Sequence, residues 1–211
     1  LEGLGLHSIH SSTGRTAIGA TVPFQKIVGH STIPEALRKA AQQAAPRSVR
    51  NRATIGGDIA IGGKKTHLTP CLIALHAEIL TADEKTIPID DYLTQESKDL
   101  ILKVIIPADE TACIAEQVTL KSMGPVVTNV AVSIKRAEDN SVEKAVIAVG
   151  NLEDSVRRLS DVEKGVLDQS LKEREEIEKA VQDAVNPEED ILGSVAYKKY
   201  ITGITVADGI L

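Results

Sequence analysis

Apolar residues repeat along this chain with two periods, and the change from one to the other organises it. GRTAIGATVPF reads as a turn leading into a short strand. In STIPEALRKAAQQAA, Ile33, Leu37, Ala40, Ala41 and Ala44 fall on one face at helical spacing, with Ser31 or Thr32 as the expected cap. Pro34 and Glu35 suit its first turn, and Pro46 stops it. HLTPCLIALHAEIL predicts a short buried helix running into a strand, and TADEKTIP a hairpin with its charged tip at Asp83 and Glu84. DLILKVIIP is a strand closed by Pro107.

After Pro107 the β-branched content rises. CIAEQVTLKS, VVTNVAVSIKR and VEKAVIAVGNL are three apolar strands, and AEDNS between the last two predicts an antiparallel meander. Helical spacing then returns in SLKEREEIEKAVQDAV, through Leu171, Ile177, Val181 and Val185, with Ser170 as the expected cap. The closing GSVAYKKYITGITVADGIL carries Val195, Ile201, Ile204 and Val206 on a helix-like repeat. Strands followed by segregated helices predict an α+β protein. The expected boundary near residues 108 to 112 gives a first domain over 1–109 and a C-terminal α+β domain over 110–211, with a three-stranded antiparallel sheet and helices.

Composition narrows the function classes. At 211 residues, 42% hydrophobic and 26% charged, the chain is long enough and apolar enough to fold around a sizeable core. Its net charge of −6 argues against a general phosphate-backbone binder, and only Phe24, Tyr92, Tyr197 and Tyr200 are aromatic, so no nucleic-acid partner is expected. No apolar run approaches the roughly 20 residues that span a bilayer, and LEGLGLHSIHSSTG lacks the order of a signal peptide, so a cytoplasmic location is expected. Cys71 and Cys113 lie in apolar runs and read as buried thiols, and the five histidines have no ligand-like spacing. Neither a metal site nor a catalytic acid–base cluster is expected.

The stretch RNRATIGGDIAIGGKK, from Arg50 to Lys65, holds the candidate chemistry. A strand or short turn ending in Gly56-Gly57 leaves successive N–H groups unshielded by a Cβ, and such groups can converge on a phosphate oxygen. Thr54 would add a hydroxyl, Asp58 suits a ribose or ribityl hydroxyl as acceptor, and Lys64 and Lys65 would offset diphosphate charge. The same dipeptide also serves as a plain turn between strands. The sequence contains neither the G-x-G-x-x-G fingerprint nor a P-loop, and no G-x-S-x-G elbow.

VRNRATIGGDIA followed eight residues later by LTPCLIALHAEI resembles the FAD-binding subunit of the molybdenum hydroxylases, the family of xanthine dehydrogenase and carbon monoxide dehydrogenase. The resemblance continues through the strand ending in IIP, through TLKSMGPVVTNVAVSI, and into GSVAYKKYITGITVAD, so it spans nearly the whole chain. The closing GSVAYKKYITG looks most like the flavoprotein subunits of selenate-reductase or selenium-dependent hydroxylase systems. It implies a partial FAD-binding subdomain followed by the C-terminal domain. Thr54, Ile55, Gly56, Gly57 and Asp58 would form one of two loops on the diphosphate and adjoining sugar. Ile101 would lie near the adenine, Lys121 near the flavin edge, and Arg50 and Asn51 would brace the loop. The family has Ser-Asp where this chain has Thr66-His67, so His67 would take over a cofactor contact from a carboxylate. The family's other Gly-Gly loop belongs to an N-terminal portion that this chain, beginning at Leu1, is expected to lack. The implied activity is electron transfer through FAD between an iron–sulfur partner, itself reduced by a molybdopterin subunit, and an acceptor such as NAD. The alternative is a non-catalytic assembly subunit with this fold that no longer binds FAD.

Overall fold

The structure is a computed structural model that describes residues 4–62, 66–95, 99–108, 111–121 and 124–211. It is α+β, with two antiparallel sheets and helices gathered against them.

The first sheet begins with a hairpin, β1 (Ile9–Ser12) and β2 (Arg15–Gly19), in which Ile18 points inward and Arg15 outward as period-two alternation requires. Helices α1 (Phe24–Val28), α2 (Glu35–Gln43), α3 (Arg47–Arg50), α4 (Ile55–Ile61) and α5 (Thr69–Ala74) follow before the sheet resumes. Then come the hairpin β3 (Glu78–Thr81) and β4 (Thr86–Pro88), helix α6 (Ile89–Thr94) and strand β5 (Ile101–Pro107). Strand order is β1-β2-β5-β3-β4, so β5, the last strand of this sheet in sequence, threads between its two hairpins. Val104 and Ile106 of β5 join Ile18, Ile79, Leu72 and Ile55 in one core, and the amide of Ala20 donates to Leu102 O at 2.9 Å. That bond brings the exit of β2 beside the entry of β5, where the candidate site lies.

The second sheet is the expected meander, β6 (Ala112–Thr119), β7 (Val126–Arg136) and β8 (Val142–Gly150), extended by a two-residue strand β9 (Arg157–Arg158). Nine consecutive residues of β7, from Val126 to Ile134, are buried. Ala131 faces the core that β5 shares with Ile18, Ile79, Leu72 and Ile55, whereas Val130, Val132 and Ile134 face a second core. A strand covered on both faces has no solvated side to alternate with, which is why VVTNVAVSI reads as an almost unbroken apolar run. The second core is closed by α7 (Ser160–Leu167), α8 (Arg174–Ala184) and α9 (Val195–Ile210), through Val166, Ile177, Val181, Val206 and Ile210.

Several local readings are corrected. Gly56-Gly57 is neither a strand end nor a turn; both residues lie in the first turn of α4, capped by Thr54. Helix α2 starts behind Pro34, not at a Ser31 or Thr32 cap, because Thr32 Oγ1 is engaged by Ser11 Oγ at 2.6 Å and His30 Nδ1 at 2.9 Å. Helix α8 begins at Arg174 under a capping box of Glu173 and Glu176, while Ser170 turns its hydroxyl back to Gly165 O. Cys71 is buried, but Cys113 is only partly so.

Helix α5 ends in a Schellman turn: Ala77 N donates to Leu72 O at 2.9 Å and His76 N to Ile73 O at 3.0 Å. This holds His76 at φ 52°, a conformation that a Cβ disfavours and glycine does not. His76→Gly is therefore expected to raise stability by about 1 kcal/mol, read from the urea midpoint. A lower midpoint would mean that the imidazole makes contacts stronger than the strain.

Candidate cofactor site

The exit of β2 forms the floor of the site. Pro23 pairs with Thr54 in an isolated antiparallel bridge, and Phe24 N donates to Ala53 O at 2.9 Å, laying the residues before α4 alongside this segment. Arg50 braces it, through Nε to Gln25 Oε1 at 3.1 Å and through a guanidinium nitrogen to Gln42 O. The first turn of α4 then finds acceptors for each of its amides. Ile55 N donates to Val22 O at 3.1 Å, Gly56 N to Ala20 O at 2.9 Å, Gly57 N to Thr54 Oγ1 at 3.2 Å and Asp58 N to Thr54 O at 3.0 Å. The nest of bare amides expected from ATIGGD is thus corrected: a threonine cap and a neighbouring chain segment already occupy those donors.

Gly56 is required for closeness. A Cβ on it would lie 2.7 Å from Ala20 Cβ and 2.8 Å from Ala20 O. Gly57 is exposed, and a Cβ there would meet only Thr54 Oγ1, at 3.0 Å.

Above this floor opens a cleft of about 410 Å³, lined by Ala20, Thr21, Thr54, Gly56, Gly57, Ala60, Tyr92, Asp99, Leu100 and Ile101. Four of the eight residues expected at a cofactor, namely Thr54, Gly56, Gly57 and Ile101, meet here although they come from segments more than forty positions apart. Ile55 is fully buried beneath them in the core. Neither His67 nor Lys121 lines the cleft; Lys121 is exposed just after β6. Lys64 and Lys65 lie outside the described residues. Sequence reasoning missed Ala20, Ala60 and Tyr92. Tyr92 carried the one available signal, as one of four aromatics in the chain; it is 1% exposed and donates its hydroxyl to Asp99 O at 2.8 Å.

Asp58 has a different task from the sugar contact expected of it. It is 5% exposed and turned away from the cleft, accepting from His67 N at 2.8 Å, Leu68 N at 2.9 Å and Thr69 Oγ1 at 3.3 Å. Helix α5 has no side-chain cap of its own, so the carboxylate from α4 supplies one to its N-terminus. Burial pushes the Asp58 carboxyl above its ordinary value, and the two amides, His67 and the Thr69 hydroxyl pull it part of the way back. Asn129 of β7 fixes the same loop from the other side, donating to Thr66 O at 2.7 Å.

Residues 1–109 match the FAD binding domain in molybdopterin dehydrogenase, and residues 124–210 match the CO dehydrogenase flavoprotein C-terminal domain. The chain belongs to this flavoprotein family. It is 36% identical over 218 residues to the uncharacterized protein YgfM of Escherichia coli (strain K12), covering 99% of this chain and 76% of that protein. Among solved structures it resembles carbon monoxide dehydrogenase from Hydrogenophaga pseudoflava, with a TM-score of 0.85 and 24% identity over 97% of this chain and 77% of that one. Quinoline 2-oxidoreductase from Pseudomonas putida 86 gives a TM-score of 0.82 and 18% identity over 97% and 76%. At those identities the two structures bear on the fold alone.

The flavoprotein family implies FAD, and the cleft fits one end of it. Ile101, Leu100 and the Tyr92 ring offer an apolar wall to a planar base, and Gly57 and Ala60 leave the facing helix surface bare. For the diphosphate these residues supply the Thr54 hydroxyl and no lysine or arginine, while Asp99 adds a carboxylate. The described part of the cleft thus offers an apolar wall and little charge for a diphosphate.

Proposed function

We propose that this chain is the FAD-carrying electron-transfer subunit of a cytoplasmic, multi-subunit molybdenum hydroxylase, xanthine dehydrogenase-like or selenate-reductase-like. Its partners would be an iron–sulfur subunit and a molybdopterin subunit, with NAD or another acceptor outside the complex. Residues 1–109 would hold the cofactor, and 110–211 would form the C-terminal domain that backs it. The observation that carries this reading is the convergence of Thr54, Gly56, Gly57 and Ile101 on one cleft in a chain of this family.

In that role the slot between α4 and β5 would take the adenosine end, with Ile101 and Tyr92 as its wall and the Thr54 hydroxyl at its polar edge. FAD would supply the one- and two-electron chemistry when bound. The chain's own contribution is orientation and the exclusion of water, so the absence of an acid–base pair from the cleft residues is no obstacle. The two solved relatives act, by their names, on carbon monoxide and on quinoline. Such unlike substrates support a reading in which this fold is not the part that recognises the substrate.

A second reading, an assembly subunit that keeps the fold without the flavin, is favoured by one observation: the amides of residues 55 to 58 all donate within the protein. One experiment separates the two. The complete open reading frame, purified and incubated with excess FAD, is expected to retain flavin that denaturation releases. Ala60 is exposed on the cleft face of α4, so Ala60→Glu is expected to fold normally and to weaken flavin retention at least about tenfold by setting an unpaired carboxylate in the slot. A wild-type protein that stays colourless yet assembles with its partners would establish the second reading instead.

A further inference from the structure

A second cavity, of about 500 Å³, lies at the seam between the first domain and the second sheet and shares no residue with the cofactor cleft. Its walls are the first turn of α2, the end of β5, the turn after α5, and the faces of β6 and β7 that carry Cys113 and Ser133. We propose that this cavity binds a small organic oxyanion, a carboxylate or phosphate carried on an apolar body. Nothing in the flavin reading bears on it.

Ser133 is the first reason. Alternation along β7 puts Asn129, Ala131 and Ser133 on the face turned to the first domain. Asn129 is engaged by Thr66 O, and Ala131 is packed in the core. Ser133 is 2% exposed and lines the cavity, yet its hydroxyl has no hydrogen-bond partner among the described residues. The residue is buried, so its hydroxyl opens onto the cavity alone and is free to donate to whatever enters.

Arg38 is the second. Its Nε donates to Ile33 O at 3.1 Å, which fixes the side chain and leaves both terminal guanidinium nitrogens without a protein partner among the described residues. Those two nitrogens form the fork that grips carboxylates and phosphates. On the same wall, α2 has no side-chain cap, and the amides of Glu35 and Ala36 donate to no acceptor among the described residues. Glu35 also lines the cavity, but it is exposed, where water and salt screen its repulsion. His76, across the cavity, keeps an imidazole at a backbone position that glycine would hold with less strain. Ile33, Leu75 and Ile106 offer the apolar body its contact surface, and the volume is that of an ordinary small-molecule site.

Benzoate and phenyl phosphate, which carry the two oxyanions on one apolar ring, are the probes, with benzyl alcohol as the neutral comparison and inorganic phosphate as the oxyanion without a body. Binding is read by amide shifts in the 22.5 kDa chain and by the thermal midpoint. At least one of the two aromatic anions is expected to bind, to shift the amides of Ala36, Arg38 and Ser133, and to bind more tightly than benzyl alcohol or phosphate. The better of the two identifies the headgroup. Arg38→Gln is expected to weaken it about tenfold or more. Ser133→Ala, which removes one atom from the cavity wall, and His76→Gly, which relieves strain, keep the test intact should Arg38→Gln fold poorly, and each is expected to weaken binding. No saturable shift with either anion at millimolar concentration, equal binding of benzyl alcohol, or unchanged affinity in all three variants would overturn the proposal.

Discussion

Valine at position 56 is expected to destabilise the protein by about 3 kcal/mol, the upper end of what overpacking costs. The first added carbon alone would sit 2.7 Å from Ala20 Cβ and 2.8 Å from Ala20 O, closer than real Cβ contacts come. The obstacle cannot swing aside, because it is backbone pinned on both sides. Ala20 N is bonded to Leu102 O of β5, and Ala20 O accepts from Gly56 N itself, both at 2.9 Å. Relief therefore requires separating α4 from the β2–β5 seam, which opens the core at Ile55. Gly57→Ala is the matched comparison: exposed, with one soft neighbour at 3.0 Å, it is expected to cost under about 1 kcal/mol. Urea midpoints measure both. Equal midpoints for Gly56→Val and wild type would show that α4 does not rest on Ala20. A Gly56→Val protein that loses flavin would report this packing and not a phosphate contact, which is why Ala60→Glu is the cleaner probe of the cleft.

The same residue shows what the sequence disclosed and what it hid. The meander, the Asp83–Glu84 hairpin tip and the long closing helix were legible because each is set by local periodicity and turn chemistry, which a single stretch contains. The glycine pair was legible as unusual, but its meaning was not. Whether a Gly-Gly step is a turn, a nest or a close packing contact depends on what lies against it, and here that is Ala20, thirty-six positions away. Thr54 and Ile101 could be joined to one site only through resemblance to a family, because the β2-β5-β3 strand order that brings them together leaves no local mark. Ser170 failed as a cap for a related reason. Leu171 folds back against Gly165, so the chain between the two helices is shaped by packing, and the reciprocal Glu173–Glu176 pair starts α8 instead. Ser133 is, with Thr128 and Asn129, one of three polar residues in an otherwise apolar run, a pattern that identifies a strand without saying what its hydroxyl faces.

Asp58→Ala is expected to cost about 3 kcal/mol at neutral pH, because it strands the amides of His67 and Leu68 and the hydroxyl of Thr69 around a site that water does not reach. The loss should appear first as fraying of α5, whose N-terminus has no other cap, and so as faster amide exchange at Leu72 and Ile73. The pH dependence tests which force dominates. Burial holds the folded carboxyl above its ordinary value of 3.8, so the folded protein binds this proton more tightly than the unfolded chain does. The contribution of Asp58 is then fully present below 3.8 and falls as pH rises through the folded value. The gap in stability between wild type and Asp58→Ala should accordingly be wider in acid than at neutrality. A gap that widens from acid to neutral pH would mean that the donors around the carboxylate outweigh its burial and hold the folded carboxyl below its ordinary value.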